Sequence, residues 1–200
     1  MKTFPLFALA LLSLSLAASA DVDLGSAAGG TPYDPYMRPV KEVLSGLGDS
    51  AASMDRVQKL MREGRSFRYS FSEPYTAALP AVTERRQAGD CKAKALWLCD
   101  QLGDQHCRFV VGKAHLGAKL SHAWVLWQEQ GGRWYILDCT NYSTPIPADA
   151  VSPRDYIPLY SWTKNGVYRH AATQSGVAAV AGKHSAPVAT AGRARKCARQ

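Results

Sequence analysis

Residues 89–141 read GDCKAKALWLCDQLGDQHCRFVVGKAHLGAKLSHAWVLWQEQGGRWYILDCTN. Asp90 is a good helix N-cap, its short carboxylate able to accept a first-turn N–H, and Gly103 is a good C-terminal stop because it tolerates a left-handed backbone. The spacing between them predicts a helix in which Ala95, Leu98, Cys99 and Leu102 share one buried face, with Cys91 one turn earlier on that same face. Cys107 to Val111 is β-prone, and Gly112 to Ser121 reads as a loop. His122–Gln128 and Arg133–Asp138 then flank the Gly131-Gly132 turn, which predicts a β-hairpin. A helix followed by antiparallel strands makes the fold class α+β.

On the N-terminal side, Met54, Val57, Leu60 and Met61 recur at helical steps from about Ser50, with Ser50 as the expected cap and Gly64 just past the end. Phe67, Tyr69 and Phe71 alternate with polar residues as in a short strand, and Pro74 and Pro80 interrupt the chain beyond it. Residues 21–48 show no clear period and read as a wrapped or loose arm. No internal repeat is present. Residues 1–20 have the layout of a secretory signal peptide: Lys2, an apolar run from Phe4 to Leu16, and a small-residue site ending in Ala20. Cleavage after Ala20 would leave Asp21–Gln200 as an exported chain, periplasmic or secreted. No later segment approaches the ~20 apolar residues of a membrane span. The expected organisation is therefore a signal peptide (1–20), an arm (21–48), one catalytic domain (49–170) and a tail (171–200).

The formal net charge of +8 is unevenly placed. Residues 21–155 carry sixteen Lys/Arg and sixteen Asp/Glu, whereas after Asp155 there are seven basic residues and no acidic one. From Ala171 the sequence is also rich in Ala, Gly, Ser and Thr, which reads as a basic, flexible tail able to contact anionic surfaces. Nucleic acid is a poor partner for an exported protein.

Cys91, His122 and Asp138 have the residue types and placement of a nucleophile, a base and an orienting group. A helix N-terminus beside an imidazolium favours a thiolate over a thiol, and a carboxylate can hold the imidazole in the useful orientation. On the hairpin, a three- or five-residue loop would place His122 directly opposite Asp138 on one face, while an even-numbered loop would shift the pairing by one. The remaining cysteines, Cys99, Cys107, Cys139 and Cys197, allow up to two disulfides in three pairings, Cys99–Cys107 being closest in sequence. None of them shows zinc-ligand spacing with another or with His115, and no metal or cofactor site is expected.

Gly89-Asp90-Cys91 at a helix start, His122-Ala123-Trp124 opening a strand and Trp134 to Asp138 ending the next resemble the core of the transglutaminase-like superfamily. Together with the export signal and Tyr156 to Ser161, they resemble its bacterial transglutaminase-like cysteine peptidases of the periplasm. The resemblance implies a papain-like core in which the Cys91 helix packs on an antiparallel sheet, with five to seven strands or fewer. It implies a Cys91–His122–Asp138 triad performing thiol-dependent acyl transfer through a thioester on peptide or isopeptide bonds of a cell-envelope substrate. It also implies an oxyanion donor in the Cys91 N–H, with Gln87 a candidate second donor. Those peptidases commonly carry acidic residues after the Cys that help bind calcium; this chain has Lys92 and Lys94 there, which makes calcium dependence doubtful because a cationic side chain cannot ligate a hard cation. A scaffold or envelope-binding domain that keeps the triad as a relic is the alternative, and it would have a closed cleft above Cys91. Hydrolysis and transamidation, the natural substrate and the oligomeric state are not distinguished by the residues.

Overall fold

The computed structural model of the chain describes residues 22–73 and 75–174. The segment expected to be a signal peptide (1–20), the basic stretch beyond residue 174 and Cys197 lie outside the described residues. In chain order the elements are β1 (Ser26–Ala27), α1 (Arg38–Ser45), α2 (Met54–Ser66), β2 (Arg68–Tyr69), α3 (Pro80–Arg86), β3 (Ala88–Gly89), α4 (Cys91–Leu102), β4 (Cys107–His115), β5 (His122–Gln128), β6 (Trp134–Leu137), β7 (Ile146–Pro147), β8 (Asp155–Thr163), β9 (Gly166–Arg169) and α5 (Ala171–Gln174).

The helix expected between Asp90 and Gly103 is α4, and both end signals act as expected. The Asp90 carboxylate accepts the Ala93 N–H at 3.1 Å, and Gly103 closes the helix in the left-handed region at φ +65°. The expected one-sided stripe is replaced by burial nearly all round, from Lys92 through Cys99 and at Leu102. α1, α2 and α3 pack against α4, and β5 lies on its sheet side. The two lysines enter this interior because each finds an oxygen: Lys92 Nζ pairs with Asp90, and Lys94 Nζ donates to the Phe67 carbonyl at 2.6 Å.

Two local expectations shift. α2 is capped by Ser53, which accepts the Arg56 N–H, rather than by Ser50. Gly64 lies inside α2: a Cβ there would come within 2.8 Å of Cys139 Sγ and 2.9 Å of the Trp97 ring, so the glycine lets α2 lie directly on α4 and the segment after β6. The stretch expected as an arm contains α1, whose Val40 and Leu44 join the core with Met37.

Seven strands form one antiparallel sheet in the order β1-β9-β8-β4-β5-β6-β7, while β2 and β3 pair in parallel by themselves. This is the α+β architecture expected, with the Cys91-bearing helix on an antiparallel sheet. On the helix side Phe109, Val111, Ala123, Val125, Trp127, Leu137 and Trp162 meet α1, α2 and α4. On the opposite side a smaller cluster of Val110, Trp124, Leu126 and Ile136 is covered by Ile146, Val151 and Tyr156. β4 is longer than expected, running through Gly112 to His115. Its pairing with β8 slips between Val111 and Gly112, where a Cβ would fall 2.2 Å from the Ile157 carbonyl oxygen. Only glycine permits β8 to approach that closely.

Among the described residues no disulfide is formed: Cys91, Cys99, Cys107 and Cys139 are free. Cys99 and Cys107 do meet, as hydrogen-bonded buried thiols, and that contact together with burial pushes the Cys107 thiol up. Burial also pushes the Cys139 thiol up to about 12. These thiols are packing groups.

Candidate active site

Cys91 is the first residue of α4, immediately after its N-cap. The Asp90 carboxylate takes the Ala93 N–H and the Asp90 carbonyl takes that of Lys94, at 2.9 Å. The Cys91 N–H is thus among the first-turn donors that have no intrahelical acceptor. Cys91 itself is only partly buried.

His122 opens β5 and Asp138 directly follows β6, so the hairpin brings them together. The last residues of the ladder around the turn are Gln128 and Trp134, which leaves a five-residue loop, and the pairing continues as far as Val125 and Leu137. That loop lies one residue later than the version that would set His122 directly opposite Asp138. The two residues instead fall on the same face, two positions apart, a diagonal that two side chains can span. His122 Nε2 donates to Asp138 Oδ2 at 2.8 Å. With Nε2 taken, Nδ1 is the ring nitrogen left for Cys91, which lies near enough to His122 to raise its pKa. The three residues singled out in the sequence therefore lie together, His122 bonded to Asp138 and close to Cys91.

The electrostatics of this group have identifiable causes. Burial by itself would lower the His122 pKa; the hydrogen bond to Asp138, the nearby Cys91 and the charges of both outweigh it and raise it to about 10. Burial likewise pushes Asp138 up, but the His122 hydrogen bond and charge, with the Tyr156 and Asn141 hydrogen bonds, bring the carboxyl below its ordinary value. The pair is held as imidazolium and carboxylate through neutral pH.

Two residues supporting Asp138 went unassigned in the sequence. Tyr156 O–H donates to Asp138 Oδ2 at 2.7 Å, and Asn141 Nδ2 donates to the same oxygen at 2.8 Å. The Thr140 N–H reaches Oδ1 at 3.1 Å, and the Asn141 and Tyr142 N–H groups fold back on the Asp138 carbonyl. The turn after β6 thus grips both ends of Asp138. Asn141 has a local signal, since an Asx residue three positions after an Asp suits such a turn. Tyr156 has none: it sits at φ +47°, a region rarely used by a bulky residue, and reaches the site because β8 bends at the Gly112 slip.

Gln87 is not positioned as expected. It ends α3 in the left-handed region at φ +48°, is exposed, and its side-chain amide donates to the Glu84 carbonyl at 2.9 Å. It acts as a helix C-cap, with its side-chain amide engaged by α3.

The residues around Cys91 do not fit calcium. Asp90 Oδ1 accepts from Ala93 N, and Oδ2 accepts from Ser72 N, Ser72 Oγ and Lys92 Nζ, so the carboxylate is saturated by protein donors. The Lys92 ammonium stands where a divalent cation would have to approach, and a hard cation needs several free oxygens. Chelation with EGTA should leave the alkylation rate of Cys91 unchanged, and millimolar calcium should not raise the unfolding temperature. A calcium-induced rise of several degrees in a thermal melt would count against this view of the donor set.

No family model and no curated protein matches the sequence. Among solved structures the chain is similar to LapG of Legionella pneumophila, with 15% identity and a TM-score of 0.49 over 76% of this chain and 86% of LapG. The calcium-bound form of LapG gives 17% identity and a TM-score of 0.47 over 68% of this chain and 77% of that one.

Proposed function

We propose that the protein is an exported cysteine-dependent hydrolase or acyltransferase acting on peptide or isopeptide bonds in the cell envelope. The observation that carries this reading is the His122–Asp138 hydrogen bond beside a partly exposed Cys91 at the start of a capped helix. The partial exposure of Cys91 favours it over a relic scaffold, which calls for a closed cleft. Among the described residues no helix is long and apolar enough to cross a membrane.

In this mechanism the Cys91 sulfur attacks the carbonyl carbon of the scissile bond, and the carbonyl electron pair moves to oxygen, where the Cys91 N–H donates to it. His122 gives its Nδ1 proton to the leaving amine as the C–N bond breaks, which leaves a thioester on Cys91. Nδ1, now unprotonated, takes a proton from water as the water oxygen attacks the thioester carbon. Collapse releases the acid and restores the thiolate–imidazolium pair. An amine in place of water gives transamidation. Asp138 keeps the proton on Nε2 throughout and compensates the imidazolium charge.

Alkylation with iodoacetamide, read by peptide mass spectrometry on the folded protein, should modify Cys91 ahead of the buried Cys99, Cys107 and Cys139. Because burial alone would also give that order, the deciding comparison is His122→Ala, which should slow Cys91 alkylation about tenfold or more. An unchanged rate in that variant would remove the activated nucleophile. Profiling new N-termini among envelope proteins exposed to wild type or Cys91→Ala would then identify substrates.

A further inference from the structure

Exposed large apolar side chains are few among the described residues, and most of them lie on segments that carry or contact the proposed site residues. Six stand out among the described residues, and four of these, Tyr69, Phe71, Leu120 and Tyr142, are 54%, 68%, 74% and 45% exposed. Tyr69 lies close enough to Cys91 and Asp90 for their charges to raise its pKa, after burial. Phe71 sits with its ring centroid 5.4 Å from Lys92 Nζ, next to the helix start. On the other side Leu120 is two residues before His122, and the Tyr142 ring lies 6.5 Å from that of Tyr156, the residue that donates to Asp138.

Both flanks are tied to the site by hydrogen bonds. The segment carrying Tyr69 and Phe71 runs beside the approach to Cys91, with Ser70 N donating to the Gly89 carbonyl and Ser72 N and Oγ donating to Asp90. The segment carrying Leu120 is held by Lys113 Nζ on the Lys119 carbonyl and by the contact of Ser121 Oγ with the Tyr33 hydroxyl. Tyr142 is fixed by its N–H on the Asp138 carbonyl. Clustered exposed apolar groups of this kind mark a binding surface, and a held surface loses little entropy when it is covered.

We propose that these four side chains are the walls of the substrate groove, and that the groove takes an extended peptide bearing an aromatic or large aliphatic residue immediately before the residue whose carbonyl reacts, in preference to an acidic one. The inference rests on the acyl-transfer reading and adds the substrate class. The chemistry of the site suits a peptide: the Cys91 N–H, His122 and Asn141 supply polar groups and the four exposed side chains supply apolar ones. An extended chain matches that pattern, because its backbone polar groups run down the middle while successive side chains point to opposite sides.

The test uses benzyloxycarbonyl-Phe-Ala and benzyloxycarbonyl-Asp-Ala chloromethyl ketones, with Cys91 alkylation followed by intact mass. Each rate is divided by the iodoacetamide rate of the same protein, which corrects for any change in the thiol. Wild type should prefer the Phe reagent about tenfold (about 1.4 kcal/mol). Tyr69→Ser with Leu120→Ser should bring the ratio to within about twofold of unity. Phe71→Ser with Tyr142→Ser provides a second, independent pair, and thermal melts establish that each variant is folded. A wild-type ratio near or below one, or a preference unchanged in both pairs, overturns the apolar groove. That outcome is distinct from failure of the acyl-transfer reading, which would appear as iodoacetamide modification of Cys91 that does not depend on His122.

Discussion

Asp138→Asn should slow acylation of Cys91 by p-nitrophenyl acetate by on the order of 10³–10⁴, because an amide offers its N–H₂ where Nε2–H needs an acceptor. The imidazole would then turn or change tautomer, and Nδ1 would no longer present the proton used in the transfer. The partners of Asp138 make the expectation sharper. Tyr156→Phe and Asn141→Ala each remove one donor to Oδ2 while leaving the His122 hydrogen bond in place, so each should cost far less, about tenfold. The Asp138→Asn variant will also be less stable, since it leaves His122 buried with its charge uncompensated, and near-UV circular dichroism at low temperature should be used to show that it is folded. A burst rate for Asp138→Asn within tenfold of wild type would mean that the carboxylate does not orient the base.

The second large effect is on stability against pH. The folded pKa of His122, about 10, lies above its ordinary value of 6.5, so the folded state holds the proton more tightly. Its contribution is fully present below pH 6.5 and is lost as pH rises through 10, in total on the order of 5 kcal/mol where Asp138 stays ionised. Asp138 acts at the other end: its carboxyl is depressed, so its contribution is present above the ordinary value of 3.8 and is lost as pH falls below it. His170 runs against His122. It is fully buried, hydrogen-bonded through Nε2 to Ser161, and its pKa is lowered by burial despite Asp23, so stability is lost as pH falls below 6.5. Urea unfolding from pH 5 to pH 10.5 should therefore show a decline on the alkaline side that is absent in His122→Gln. The His170→Gln variant should flatten the acid side alone. An alkaline slope of the same size in His122→Gln would place the linkage elsewhere.

Much of this site was legible because it is local. Asp90 and Gly103 are end signals that act within one turn, so the helix presenting Cys91 could be bounded from residues alone. The Gly131-Gly132 turn between two apolar runs predicted the hairpin, and strand alternation put His122 and Asp138 on one face only for an odd-numbered loop. What local pattern could not supply was register. The loop opens one residue later than direct pairing requires, and the two side chains meet on a diagonal that depends on where the ladder stops and the turn after β6 begins. The turn of the Gln87 amide onto the Glu84 carbonyl was hidden for a related reason: nearness to Cys91 in sequence says nothing of which way an amide turns when its own helix offers a carbonyl.

The α+β class and the capped helix could be read from the chain, because caps, turns and strand alternation are set by neighbours a few positions away. The three residues that the site brings together were singled out by the resemblance of their motifs. The remainder came from tertiary contacts. They enclosed α4 on nearly every side and so paired Lys92 with Asp90, they required Gly64 and Gly112 to be without side chains where other elements press against them, and they carried Tyr156 to Asp138 across the sheet. Each of these depends on segments far apart in the chain, where close packing and the need to satisfy every buried polar group choose the partner.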